Sequence, residues 1–232
     1  MNPTVPSVFF SRRRFLAACA AAALAVMAAI PAVSEPASAL TAAALAARVD
    51  RHYDRLHSLK AGFREEYAGL GMTRAEAGTL FLRKPGQMLW QYSAPEGKIF
   101  LLDGKYAWLY AKGDAQVQRV PAKELDDLRS PLQFLLGRTK LEKELNGLKI
   151  AGFSNGLYTL AGVPKGQENR VARLSLAVTA EGAIATIEVV EISGATTRFR
   201  FTGEQPDAPI PATLFRFTPP PGVPVVDAPP PV

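Results

Sequence analysis

The stretch LFLRKPGQMLWQY, residues 80–92, decides the fold because it joins two apolar runs through the turn-forming pair Pro85-Gly86. Successive side chains of a β-strand point to opposite faces, so Leu82 and Lys84 share a face and Arg83 points the other way. An ammonium group on an otherwise apolar face is costly unless it finds hydrogen-bond acceptors. The stretch is therefore either an edge hairpin with charges at its tip or one wall of an apolar concavity into which a cation is aimed.

The second run of this stretch continues the apolar pattern. Met88, Trp90 and Tyr92 are spaced two residues apart and share one face of the strand that follows the turn. Most of the aromatic side chains elsewhere in the chain are expected to be ordinary core. These three are candidates for the lining of a cavity.

The same kind of segment recurs along the chain and predicts an antiparallel meander. Short runs rich in aromatic and β-branched residues are separated by Gly, Pro or Asp-Gly, which is typical of strands joined by tight turns. Asp103-Gly104 lies between two apolar runs and predicts a hairpin. Ten of the 19 prolines lie beyond Glu204, so the segment after Phe217 cannot pair as a central strand.

Two helices are predicted beside these strands. Residues 40–59 carry a plausible cap at Thr41 and one apolar stripe, formed by Leu45, Val49, Tyr53 and Leu56. Both histidines, His52 and His57, fall in this segment; five residues apart, they are not on one face for a shared metal, and they are predicted to be solvated helix residues. Residues 125–137 predict a short apolar helix capped by Ser130, and TKLEKELNG after it predicts a solvated turn or short helix.

The N-terminus has the pattern of a cleaved export signal. Three arginines (residues 12–14) precede an apolar run that ends at Ile30, and the small residues Ala37-Ser38-Ala39 follow. The run is shorter than the ~20 residues of a membrane-spanning helix. SRRRFLA resembles the twin-arginine motif, although a general export signal has nearly the same pattern. We expect residues 1–39 to be removed, with Cys19 an ordinary residue of the apolar run.

Composition excludes several kinds of function. Without residues 1–39, Lys+Arg falls from 27 to 24 and Asp+Glu from 21 to 20, so the net charge is +4 and nucleic-acid binding has little support. No cysteine remains for disulfide or thiol chemistry. The letters GFSNG match a nucleophile elbow around Ser154, but both histidines precede it and Asn155-Gly156 predicts a hairpin. Neither an enzyme nor a metal or cofactor site is predicted.

The order of these segments resembles the LolA family of periplasmic lipoprotein carriers. A first helix is followed by FREEY, GTLFLRKPGQMLWQY, LLDGKYAWLY, SPLQFLL and FRFTPPPGVPVVD, so the resemblance covers residues 40–227. It implies an incomplete antiparallel β-barrel of about eleven strands with short lid helices over an apolar cavity. Residues 228–232 remain as a Pro-rich tail.

The resemblance also implies cargo, partners and site residues. The cargo would be lipoprotein acyl chains, the donor an inner-membrane ABC transporter of the LolCDE type, and the acceptor an outer-membrane LolB-like receptor, with the chaperone itself a monomer. The family's latch to the lid helix is typically an arginine; Lys84 stands there, and Arg83 would serve only if a bulge shifted the register. The implied lipid-binding residues are Met88, Trp90, Tyr92, Leu132, Leu135 and Leu136.

Two other functions fit the same sequence pattern. The chain could carry another lipid or a glycolipid, since the same apolar lining would accept it. It could also be a sensor module similar to RseB, which would need a second domain, and no residues are left for one after the Pro-rich tail.

Overall fold

The structure is a computed structural model that describes residues 40–126 and 140–227. These residues form one twelve-stranded sheet, with three α-helices (α1 to α3) and a short 3-10 helix. The helices are α1 (Ala42–Arg55), α2 (Ala122–Asp126), α3 (Leu141–Glu144) and the 3-10 helix Ala212–Phe215. The strands are β1 (Ser58–Gly69), β2 (Met72–Arg83), β3 (Gln87–Ala94), β4 (Glu96–Leu102), β5 (Tyr106–Tyr110), β6 (Val117–Pro121), β7 (Leu145–Ser154), β8 (Leu157–Pro164), β9 (Val171–Val178), β10 (Ile184–Glu191), β11 (Thr196–Pro206) and β12 (Val225–Asp227).

The sheet is open and almost entirely antiparallel. Its order is β12-β6-β5-β4-β3-β2-β1-β11-β10-β9-β8-β7, so β12 and β7 are the edges. Only β12, which pairs with β6, is parallel to its neighbour among these strands. The Pro-rich C-terminal segment thus pairs only at an edge, as predicted, because proline lacks the N–H that a central strand needs. The predicted antiparallel, mainly β fold class is confirmed.

Helix α1 begins as predicted and ends earlier than predicted. The Thr41 hydroxyl accepts a hydrogen bond from the Ala44 N–H at 3.1 Å, and the predicted apolar stripe is buried. The helix ends at Arg55 instead of continuing to residue 59. The reason is that Leu59 belongs to the two-residue alternation of β1, in which it is buried together with Ala61 and Phe63.

Different parts of the chain pack against the two faces of the sheet, and on the outer face the packing is confined to part of the sheet. The inner face packs against α1 and holds the larger core, to which Leu80, Leu82 and Trp90 belong. The outer face of β2, β3 and β4 packs against the segment around the 3-10 helix and holds a smaller core centred on Leu89, Leu101 and Phe215.

Tight turns match the sequence at two predicted places. Asn155-Gly156 joins β7 to β8 with φ values of 52° and 76°, so GFSNG is a hairpin. Asp103 stabilises the β4–β5 turn, because its carboxylate accepts from the Lys105 and Tyr106 N–H groups, each at 2.7 Å.

Two predictions concern the segment between β6 and β7. The predicted apolar helix, to which Leu132, Leu135 and Leu136 were assigned, lies outside the described residues. The segment TKLEKELNG was predicted to be solvated, and α3 is a short helix there. However, Leu141 is fully buried in the inner core.

Candidate functional site: the inner face of the sheet beneath helix α1

An aromatic cluster occupies the centre of the inner face. The Trp90 ring lies 4.6 Å from Phe63, 5.4 Å from Phe199 and 6.0 Å from Phe201, measured between centroids, and Tyr92 lies 5.0 Å from Phe63. Strand register brings these rings together, because Phe63 and Phe201 are directly opposite in the β1–β11 pair. We call Phe63, Trp90, Tyr92, Phe199 and Phe201 the aromatic nest.

The three predicted lining residues of β3 all face this nest or its margin. Met88 and Trp90 are fully buried, and the Trp90 indole N–H points at the Met88 sulfur at 3.0 Å. Tyr92 is half-buried at the edge of the inner core. These three residues share one face of β3, as the alternation of side chains along the strand predicts. Their role in lining a lipid cavity stays a prediction.

Lys84 directly follows β2, and its ammonium group lies on the C-terminal end of α1. Its Nζ donates to the Tyr53 carbonyl at 2.5 Å and to the Asp54 carbonyl at 3.1 Å. Terminal carbonyls of a helix carry the negative end of its dipole, so they suit a cation. Burial lowers the Lys84 pKa. The lid helix that the latch was expected to contact lies outside the described residues. Among the described residues, Lys84 fastens α1 to the sheet.

Arg83 lies on the opposite side of the strand, as the alternation predicts. Its neighbour Phe81 packs against the outer core, whereas Leu82 is fully buried in the inner core. The ladder from Gly78 to Arg83 pairs with β3 without a bulge. The register therefore agrees with the contact between Lys84 and the end of α1, and the choice of Lys84 over Arg83 as the latch stays a prediction.

Other contacts dock α1 against the sheet and α3. The buried Tyr53 hydroxyl accepts from the Ile184 N–H at 3.0 Å, and the Arg48 guanidinium donates to the Ala180 carbonyl at 2.8 Å. Asp50 accepts from the Leu141 N–H at 3.2 Å, although burial raises the pKa of that carboxyl group. Lys140 pairs with Asp54 beside the Lys84 contact. The helix is therefore held by its buried apolar stripe and by directional polar contacts around that stripe.

The histidine prediction was wrong for His52. Its Nε2 lies 2.6 Å from Glu204 Oε1, and only 15% of its side chain is exposed. The sequence missed this contact because Glu204 lies at the far end of β11, 152 residues away along the chain. His57 lies outside the helix and is 93% exposed, and its backbone N–H donates to Asp207 at 2.7 Å.

A polar cluster beside the aromatic nest was not predicted. Glu65 and Glu76 are directly opposite in the β1–β2 pair, and both are buried. Lys98 donates to Glu76 at 2.5 Å, and Arg74 lies within 3.5 Å of both carboxylates. The Tyr92 hydroxyl donates to Glu65 at 3.3 Å. Burial, together with the nearby negative charge of Glu76, raises the pKa of the Glu65 carboxyl group. Alternation along FREEY would have placed Glu65 beside Phe63 on the inner face.

Neither a metal site nor a membrane-spanning helix is present in residues 40–126 and 140–227. That part of the chain has no group of three or more His, Cys, Asp or Glu side chains that could hold a metal ion. Its helices include none that is long and apolar enough to cross a membrane.

Comparison with known proteins assigns the family. Residues 55–218 match the family described as Outer membrane lipoprotein carrier protein LolA. An outer-membrane lipoprotein carrier protein of Chromobacterium violaceum is 30% identical over 169 residues, covering 73% of this chain and 81% of the relative. One from Nitrosospira multiformis is 29% identical over 157 residues, covering 67% and 74%. An uncharacterised Thermus thermophilus protein has a similar fold, with a TM-score of 0.51, 14% identity, and 79% and 97% coverage. The chain belongs to the LolA family of outer membrane lipoprotein carrier proteins.

Proposed function

We propose that this protein binds the acyl chains of lipoproteins on its inner face and carries them from the inner to the outer membrane. The observation that carries the proposal is the aromatic nest, which shares the inner core with α1, a helix whose end is fastened by Lys84 through hydrogen bonds. Such a helix can move away from the sheet if its polar contacts are exchanged for contacts with water and its buried apolar stripe for contacts with the cargo. An acyl chain would then replace α1 as the apolar partner of the nest.

Magnitudes favour this exchange. A hydrogen bond to a charged group contributes about 1.5–3 kcal/mol, so the two bonds from Lys84 contribute about 3–6 kcal/mol to the closed state. Burying one methylene group contributes about 0.8 kcal/mol, so roughly four to eight buried methylenes offset the loss of those two bonds. Further methylenes must replace the apolar contacts that Leu45, Val49 and Tyr53 make in the inner core. Return of α1 to the sheet then competes with the bound acyl chain for the inner face and favours release of the acyl chain to an acceptor.

The partners and the cellular location that we propose for this protein are those expected for the LolA family. The donor would be an inner-membrane ABC transporter of the LolCDE type and the acceptor a LolB-like receptor, with the protein acting as a periplasmic monomer. Residues 1–39 would be removed during export, so that the chain begins at Leu40. The lipid-binding role extends by proposal to Leu132, Leu135 and Leu136, which the family resemblance places on a lid helix.

The test is the transfer of a fluorescent lipopeptide from the protein to acceptor vesicles that carry the receptor. Lys84→Leu removes the contacts with α1 and adds apolar surface, so cargo should be bound more tightly and released more slowly, by roughly tenfold for each 1.4 kcal/mol. Lys84→Arg should release cargo at least as fast if its five N–H groups find the same carbonyls. Trp90 emission should respond to loading, and Trp90→Phe should lose that response.

Arg83→Leu is the matched control, because it changes the neighbouring cation on the opposite side of β2. It should leave release unchanged. Impaired release in Arg83→Leu together with normal release in Lys84→Leu would assign the latch to Arg83. Mass spectrometry of molecules that copurify from the envelope distinguishes lipoproteins from free lipids or glycolipids as the cargo.

A further inference from the structure

Three large apolar side chains project from two neighbouring hairpins. Leu70 is 83% exposed, Met72 61% and Ile192 59%. Leu70 lies in the β1–β2 turn, Met72 is the first residue of β2, and Ile192 lies in the β10–β11 turn. These turns are neighbours because β1 pairs with β11, with Ala68 opposite Thr196 just before the turns. We call Leu70, Met72 and Ile192 the apolar tip.

Leu70 occupies a backbone position that suits other residues. Its φ of 52° lies in the left-handed region, where a leucine is strained and Gly or Asn fits well. Gly71 follows with a φ of 76°. The β7–β8 turn has the same pair of φ values and carries Asn155-Gly156, the residues preferred there. Neither the backbone conformation nor the burial of Leu70 accounts for a leucine at this position.

The outer face of β9, β10, β11 and β1 carries an excess of positive charge. Glu66 is shared by Arg64 at 3.0 Å and Arg200 at 2.6 Å, and Glu188 is shared by two further arginines in the same way. Because each carboxylate is divided between two guanidinium groups, every arginine keeps N–H donors for another acceptor. This basic face has a formal charge of +2 and consists of Arg64, Glu66, Arg173, Glu188, Arg198 and Arg200.

The basic face and the apolar tip lie on the same strands. Arg64 and Arg200 are directly opposite in the β1–β11 ladder, where like charges destabilise the pairing. Their side chains are 57% and 46% exposed, so both remain accessible to a partner. Strands β1 and β11 then run on into the turns that carry the apolar tip. The sheet thus presents protruding apolar side chains next to exposed cations.

We propose that the apolar tip and the basic face together bind the surface of a membrane that contains anionic lipids. Apolar side chains inserted at the boundary of head groups and acyl chains, with cations at the anionic head groups, form the usual combination for interfacial binding. A lipid surface fits better than a protein, because the tip consists of separate side chains on protruding turns. For its biological purpose this proposal rests on the proposed carrier function, since a carrier must reach the membranes that it serves.

The experiment measures co-sedimentation with phosphatidylcholine vesicles, with and without phosphatidylglycerol. The protein is purified from the envelope of an expressing host in the form that the host leaves it. Leu70→Asn combined with Met72→Ser should lower the association constant for phosphatidylglycerol vesicles roughly tenfold or more, as the burial of one or two apolar side chains implies. Asn accepts the left-handed conformation, so this variant should fold at least as well as the unaltered protein.

Arginine variants test the electrostatic half of the proposal. Arg64→Gln with Arg200→Gln should weaken binding to phosphatidylglycerol vesicles, leave the weaker binding to pure phosphatidylcholine unchanged, and reduce the dependence on salt. If this variant and the unaltered protein bind phosphatidylglycerol vesicles equally well, the basic face takes no part in membrane binding.

Phe153→Ser is the matched control, because Phe153 is 61% exposed on the β7–β8 hairpin. It should bind vesicles normally. The proposal is overturned if the unaltered protein does not bind phosphatidylglycerol vesicles, if the tip variant binds them equally well, or if Phe153→Ser loses as much binding. The tip variant should still bind lipopeptide in solution, which separates this test from a failure of the proposed carrier function.

Discussion

At the residue scale, the inner face combines a buried carboxylate pair with an aromatic cluster. Glu65 faces Glu76 across two strands, and Lys98 and Arg74 compensate both charges. Lys98 also lies over the Tyr92 ring, 4.3 Å from its centroid. Removing one partner from such a group leaves the other charges poorly compensated. These residues therefore fix the margin of the aromatic nest.

Glu65→Gln should change how stability depends on pH. Burial raises the folded-state pKa of Glu65, so its contribution to stability is present below the ordinary glutamate pKa and is lost as pH rises through the raised value. Glutamine does not titrate. The free energy of unfolding of Glu65→Gln, relative to the unaltered protein, should therefore rise between about pH 4 and neutral pH. Urea unfolding at several pH values measures this difference.

Glu66→Gln is the control with the opposite sign. Hydrogen bonding from Arg64 lowers the pKa of Glu66, so that group stabilises the fold above the ordinary glutamate pKa and loses its contribution as pH falls through the lowered value. The relative stability of Glu66→Gln should fall towards neutral pH. Parallel pH profiles for the two variants would contradict the assignment of Glu65 to a buried site.

At the element scale, the β2–β3 hairpin was the part that the sequence predicted best. Alternation alone placed Leu82 on the inner face and Arg83 on the outer side, and both assignments agree with the structure. Periodicity suffices there because neighbouring residues of one strand decide the result. It could not predict the acceptors of Lys84, which lie on the end of α1, nor the partner of His52, because both depend on how distant elements pack.

Gly78 shows how one element constrains its neighbours. A Cβ atom there would lie 2.1 Å from the Gln91 carbonyl oxygen and 2.8 Å from the Phe63 ring. Gly78→Ala should therefore separate β2 from β3 and displace a ring of the aromatic nest, lowering the free energy of unfolding by about 1–3 kcal/mol or more. Thermal or urea unfolding measures the loss.

Gly152→Ala is the matched control on β7. Nothing lies within 4 Å of a Cβ atom at that position. The substitution should change the free energy of unfolding by less than about 1 kcal/mol, in the stabilising direction, because alanine restricts the unfolded chain. Equal losses in the two variants would show that close packing is not the cause at Gly78.

At the scale of the whole molecule, one sheet separates two cores. The inner core includes Ile187 on β10, and the outer core includes Leu101 on β4. The sequence predicted a single apolar concavity and the edge position of the C-terminal segment. It did not predict the second core, because Phe215 reaches Leu101 only after the chain has crossed to the outer face.

Ile187→Val and Leu101→Ala should therefore be additive. The first should cost about 0.5–1.5 kcal/mol and the second about 2–5 kcal/mol of unfolding free energy. The double variant should lose the sum within about 0.3–0.5 kcal/mol, since residues without shared neighbours do not couple. Urea unfolding of the three variants gives this comparison, and a larger deviation would indicate that the two cores act as one.

The central place of β1 has a consequence for the order in which the protein can fold. Its partner β11 is made late, and the contact between Glu66 and Arg200 spans 134 residues of sequence. Until β11 emerges from the ribosome, β1 has an unpaired edge. The inner core cannot form completely before then, because β11 contributes side chains to it. Exposed edges favour association with other chains, and distant pairings form slowly. A cell that makes this protein must therefore shield the unfinished chain until almost all of it has been synthesised.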